Sequence, residues 1–144
     1  MPSSVIVAAR KYAVDQLSDL LGAEVDTSYA WSPDTRAAKQ VFTMRARGDQ
    51  QPASLKPGRV FRNEDGRFAL VIRVDASGCD TEEADEQAIA LGQIVEEFFA
   101  DNRHPDVPGL NWWVVESWEM NGGPNDGGAI SELTYTVRYD ARLT

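Results

Sequence analysis

The sequence predicts an α+β fold: one domain over 1–144, a mostly antiparallel sheet of about five strands, and two main helices packed on one face, in the order α-β-β-β-α-β-β. Three observations carry this. Two segments repeat apolar residues at three- and four-residue steps, several others alternate apolar with polar residues, and no repeat or low-complexity tract divides the chain. A chain of 144 residues is the usual size of one domain with a real core.

Ser3 or Ser4 is placed to cap a first helix running to about Leu21, where Gly22 stops it. Val5, Ala9, Tyr12, Ala13, Gln16, Leu17, Leu20 and Leu21 recur at helical spacing, with Asp15 and Asp19 on another face. "VDTSYAWSPDTRAAK" is turn-rich, contains Pro33, and reads as irregular connection.

"KQVFTMRARG" alternates and reads as a half-buried strand, with Phe42, Met44 and Ala46 opposite Thr43, Arg45 and Arg47. "DQQPASLKPG" carries two prolines and reads as a long polar loop. "RVFRNEDGRFALVIRVDAS" reads as a hairpin around Asp65-Gly66, because Asp-Gly favours the tight two-residue turn. Its second arm puts Phe68, Leu70, Ile72 and Val74 inward.

The second helix has the firmest signature. Asp80 stands as N-cap with Glu83 three residues on, and acids crowd the first turn where the helix dipole favours them. Ala84, Ala88, Leu91, Val95 and Phe98 form a stripe flanked by Ile94 and Phe99. Pro105 and Pro108 forbid continuation. In the next strand strict alternation sets Trp112, Val114, Glu116, Trp118 and Met120 on one side, so Trp112 and Trp118 are expected in the core and Trp113 is expected to face away, either as an exposed interface anchor or covered by the first helix. "MNGGPNDGG" follows as a flexible, glycine-rich hairpin tip, and the last strand alternates Leu133, Tyr135, Val137 and Tyr139 against Glu132, Thr134, Thr136 and Arg138.

The residues exclude several function classes. A formal charge of -9 argues against free nucleic acid as ligand, since phosphate neutralisation supplies most such affinity. No apolar run approaches the ~20 residues that span a bilayer, and the N-terminus lacks a secretory signal pattern. The single Cys79 rules out an internal disulfide and a cysteine-built zinc site, and fits a reducing compartment. His104 is the only histidine and has no partner in its motif; Cys79 has acids rather than a base beside it. Glu116 reads either as a buried acid with a raised pKa or as a glutamate paired with Arg138 across the hairpin. "MNGGPNDGG" fails as a phosphate loop, because it joins strand to strand and lacks the lysine. It fails as a calcium loop because Gly123 and Asp126 fall where a ligand and a glycine belong. No catalytic residue, metal site or cofactor is expected.

Charge is segregated along the chain. Nine of the fourteen basic residues lie between Arg36 and Arg73, whereas Val74 to Asn102 holds nine acids and no Lys or Arg. Such a pattern suits either an acidic helix beside a basic sheet within one molecule, or complementary surfaces on successive copies of a ring. Partner contact is expected at the two oversized loops and the outward tryptophan: Arg45, Arg47, Gln50, Gln51, Lys56, Arg59, Trp113, Asn121, Gly122, Asn125 and Asp126.

The N-terminal helix, the strands with a polar loop, the amphipathic "DTEEADEQAIALGQIVEEFF" and the closing "ELTYTVRYDARLT" together resemble the tail terminator proteins of long, non-contractile-tailed bacteriophages. The resemblance covers nearly the whole chain in length, element order and sequence character. It implies a structural virion protein, not an enzyme: a homo-oligomer, a hexameric ring in this family, that caps the tail tube, ends its polymerisation and offers the head-joining surface. Partners so implied are the tail tube protein and a head-completion or neck protein, with genomic DNA passing through the ring without specific binding and no membrane. The place implied is the neck-proximal end of the virion tail, after assembly in the host cytoplasm. The family has no catalytic motif, so no site residue carries over. A head-closure or connector protein of the neck is the nearest alternative. A small α+β enzyme or ligand-binding domain with an acidic pocket near Glu116 or Glu119, and an adaptor or chaperone gripping a peptide along a sheet edge, are the others.

Overall fold

The computed structural model describes residues 4–32, 37–52 and 61–143. Its elements are α1 (Ile6–Leu21), β1 (Val25–Ser28), β2 (Lys39–Pro52), β3 (Arg62–Ser77), α2 (Thr81–Asp101), β4 (Leu110–Asn125) and β5 (Gly128–Leu143). The α-β-β-β-α-β-β order and the α+β class hold. The strands lie in one sheet in the order β1-β2-β3-β5-β4, parallel only between β1 and β2.

Both helices cover one face, and the core lies between them and the sheet. Ala9, Ala13 and Leu17 of α1, and Ala84, Ala88, Val95, Phe98 and Phe99 of α2, meet Leu70, Ile72, Leu133, Val137 and Tyr139. Full burial of a Leu, Val or Phe side chain contributes roughly 1.5–3 kcal/mol, which makes these two stripes the main stabilising element. Asp80 caps α2 as its sequence foretells, accepting from the Glu83 N–H at 2.9 Å. In α1 the N-cap position is Val5, and the Ser4 hydroxyl accepts from the Ile6 N–H at 3.1 Å. Gly22 ends α1 at φ 83°, a conformation glycine adopts without steric cost. Leu20, placed on the apolar stripe by spacing, is 56% exposed.

Five local expectations are corrected. Asp65-Gly66 makes no turn: β3 runs straight through it, Gly66 pairing with Gly48 on one side and Tyr139 on the other. The glycine is there for a close approach, since a Cβ on it would stand 2.2 Å from the Tyr139 ring. The third strand of the first half is instead β1, four residues within the segment read as irregular. The polar loop after Gly48 is shorter than expected, because 49–52 continue β2 opposite Arg62–Asp65; its remainder, 53–58, lies outside the described residues.

The glycine-rich tip is likewise ladder rather than loop. β4 and β5 pair through Asn125↔Gly128, leaving Asp126 and Gly127 as a two-residue turn. Gly127 takes φ 84°, and its carbonyl accepts from the Gly78 N–H at 2.7 Å, tying the turn to the start of α2. Glycine at 128 lets the β5 backbone lie close to Ala76, where a Cβ would meet the carbonyl oxygen at 2.2 Å.

The fifth correction concerns the tryptophans. A bulge between Val115 and Ser117 breaks the alternation of β4. Trp113 is wholly buried among Tyr12, Phe98 and Phe99, with its indole N–H donating to the Asn102 carbonyl at 2.6 Å. Trp112 lies on the opposite face, with the Arg138 guanidinium 5.8 Å from its ring centroid. Trp118 pairs with Tyr135 beyond the bulge, on the helix side but at the sheet edge, and stays 64% exposed.

Candidate functional site

Because α1 and α2 both lie on one face, no helix among the described residues covers the other face of the sheet. Outward residues alternate along each strand: Phe42 and Met44 on β2, Arg67, Ala69, Val71 and Arg73 on β3, Glu132, Thr134, Thr136 and Arg138 on β5. Most of its charges are paired across strands. Arg67 grips Glu116 with two bonds of 2.8 and 3.1 Å, Arg138 grips Asp65 with two of 3.0 Å, and Arg73 meets Glu132 at 2.6 Å. Glu116 is therefore the paired glutamate, with Arg67 rather than Arg138 as its partner. Hydrogen bonding to that guanidinium pulls its pKa below the ordinary value; no acidic pocket forms around it.

Arg142, over the Phe61 ring at 4.8 Å, stands outside this network, and so do Arg45 and Arg47. Arg45 and Arg47 are exposed and make no ion pair or hydrogen bond among the described residues. They flank a bulge between Met44 and Arg47 at which Arg45 takes φ 52°, a left-handed conformation rare for a side-chain-bearing residue. With Arg67, Ser117, Glu119, Thr134 and Thr136 they line an open depression of about 500 Å³ on the uncovered face.

The helix layer carries the opposite charge. Glu82, Glu86 and Glu97 are exposed along one stripe of α2, with Ile89, 42% exposed, and Gln93 between them. None of these carboxylates has an ion-pair partner among the described residues.

The residues expected to bind partners fall in several places. Arg45 and Arg47 share the basic depression. Gln50 and Gln51 lie toward the other end of β2, beside Asn63, Asp65 and Asp140. Asn125 and Asp126 sit at the β4–β5 turn, across from Trp31, Arg73 and Asp75. Asn121 and Gly122 belong to edge strand β4, Gly122 lying against Asp85 of α2. Trp113 is in the core, which corrects the expectation of an exposed anchor and agrees with the alternative that the first helix covers it, Tyr12 of α1 lying against its ring. Lys56 and Arg59 lie outside the described residues.

Among the described residues Cys79 and His104 stand apart from one another and each is engaged locally. Cys79 is held as a thiol, its pKa raised by its hydrogen bond with Glu83, by burial and by the negative charge of Glu83 and Asp80. The His104 Nδ1 lies 2.9 Å from the Asn111 carbonyl in an exposed turn. Among the described residues no group of three or more His, Cys, Asp or Glu could hold a metal ion, and no helix is long and apolar enough to cross a membrane.

Sequence reasoning missed one cluster, built on Glu64, which a hairpin at Asp65-Gly66 would place beside a turn. Glu64 is 2% exposed and accepts from Ser4 at 2.6 Å, Gln50 at 2.7 Å and Tyr139 at 2.8 Å. Burial opposes its charge, but the bonds from Gln50, Ser4, Tyr139 and the Val5 backbone prevail, and its pKa falls below 4.5. With every contact made to its own chain, this carboxylate locks the start of α1 to β2, β3 and β5.

No protein-family model and no curated protein matches the chain. Among solved structures, it is similar to a chain described as belonging to the virion of a native gene transfer agent particle. The TM-score is 0.61 at 19% identity, with 99% of this chain and 100% of that chain covered. At that identity the likeness establishes a shared fold, end to end.

Proposed function

We propose that this chain is a structural protein of a phage-like particle, and specifically a tail terminator. Copies close into a ring, six in the resembled family, that caps the tail tube, ends its polymerisation and presents the surface to which the head is joined. The observation that carries the reading is the end-to-end fold likeness to a virion chain, both chains covered almost completely. Further support comes from ionisable side chains that pair with one another instead of converging on a cleft, and from free charges of opposite sign on opposite layers. A net charge of -9 suits a ring through which DNA passes without being held.

Solution mass measurement of the purified chain, alone and with the tube protein of the same particle, tests this. A ring, or a monomer that becomes a ring on the tube end and arrests tube growth, is the expected result. A ring that binds the head vertex but leaves tubes growing would move the assignment to the neck connector. A monomer or dimer holding a metabolite among ionisable groups would overturn both.

A further inference from the structure

We propose that the basic depression around Arg45 and Arg47 docks on the acidic outer face of α2 from a second copy of this chain, head to tail. The inference rests on the reading of the chain as a ring subunit and names the contact that builds the ring.

On the open sheet face Arg67, Arg73 and Arg138 are already engaged in ion pairs and Arg142 lies over the Phe61 ring, so in the depression itself the unengaged positive charge is that of Arg45 and Arg47 among the described residues. The β2 bulge sets the neighbouring backbone at φ 52° and flanks it with both guanidinium groups, beside a depression of about 500 Å³. On α2, Glu82 and Glu86 stand one turn apart, where like charges repel and weaken a helix. No Lys or Arg between Val74 and Asn102 relieves them. Ile89, half-exposed in the same stripe, supplies an apolar contact between the acids. Each surface therefore lacks what the other has.

Geometry forbids satisfaction within one molecule. The arginines lie on the uncovered side of the sheet, and α2 packs on the other side. A contact between two different surfaces is heterologous, so it propagates from copy to copy and closes as a ring when the rotation per copy permits. Nucleic acid is a poorer occupant of the depression, because among the described residues that line it only Arg45 and Arg47 are unpaired cations, on a chain of net charge -9.

Charge exchange tests the assignment in the full chain. Arg45→Glu with Arg47→Glu, and separately Glu86→Lys with Glu97→Lys, are each expected to weaken self-association in sedimentation by about tenfold or more, since like charges then oppose. The chain carrying all four substitutions is expected to regain association. Circular dichroism and melting check that these exposed substitutions leave the fold intact. Association of either double variant at wild-type strength would overturn this interface while leaving the ring standing, as would failure of the four-fold variant to recover. A wild-type chain that stays monomeric with and without tube protein would remove the ring reading and the interface together. Loss of binding to a single-stranded oligonucleotide with association unchanged would assign the depression to nucleic acid instead.

Discussion

The phenol of Tyr139 crosses directly over Gly66 to donate a 2.8 Å hydrogen bond to the buried carboxylate of Glu64. Gly66 and Tyr139 are paired neighbours on β3 and β5, so the ring lies where a side chain at 66 would stand. One missing Cβ thus lets an aromatic ring reach a charge that also anchors Ser4 and Gln50.

Gly66→Ala should accordingly destabilise the protein. The new Cβ would stand 2.2 Å from Cζ and Oη of a ring that is 1% exposed and held by its bond to Glu64. Overpacking of this kind costs about 1–3 kcal/mol, readable as a lower midpoint in urea unfolding. Gly123→Ala is the control: a Cβ there meets nothing within 4 Å, and the midpoint should shift far less.

Stability should fall with acid through Glu64. Its pKa is depressed in the folded state below the ordinary 4.5, so the unfolded chain takes up the proton first. Stabilisation from the ionised carboxylate is then complete above 4.5 and is lost as pH drops through the lower, folded value. Glu64→Gln should flatten the pH dependence of unfolding in that window and lower stability at neutral pH. An unchanged slope would refute the assignment.

Tyr139→Phe isolates one of the bonds to that charge. The ring and its packing remain, and only the donor goes, so the expected loss is about 1.5–3 kcal/mol for a hydrogen bond to a charged group. Burial and the neighbouring Glu64 both raise the phenol pKa, so the hydroxyl stays protonated throughout the acid titration.

Trp113 should behave as core and not as interface. Trp113→Ala removes the ring that Tyr12, Phe98 and Phe99 surround and should cost about 3–5 kcal/mol. Measured below its melting temperature, the more conservative Trp113→Phe should assemble as the wild type does. Impaired assembly of a fully folded Trp113→Phe chain would place the ring at a contact after all.

Amide exchange distinguishes ladder from loop at the β4–β5 turn. The amides of 121–123, 125 and 128–131 belong to paired strands (Pro124 has no N–H), with Gly78 bonded to the turn at 2.7 Å. Those that donate within the ladder should exchange slowly, and only the turn residues quickly. Uniformly rapid exchange across 120–128 would restore the picture of a mobile tip.

By itself the sequence determined what local chemistry determines: the two apolar helical stripes, the Asp80 cap, the stop at Gly22 and the segregation of charge. Each follows from spacing along one segment, and spacing survives folding unchanged, whereas the β2 bulge put Arg47 on the side of Phe42 and Met44 instead of with Thr43. Tertiary structure decided the rest, because the deciding atoms come from elsewhere in the chain. Asp-Gly turns at 126–127, where the pairing of β4 and β5 ends, yet runs straight at 65–66, where Tyr139 of β5 needs the room. A bulge in β4 puts Trp118 on the same side as Trp113 and opposite Trp112, since one extra residue flips every later side chain. The open basic face exists only because both helices settle on the other side of the sheet, a choice made by packing and invisible to any single strand.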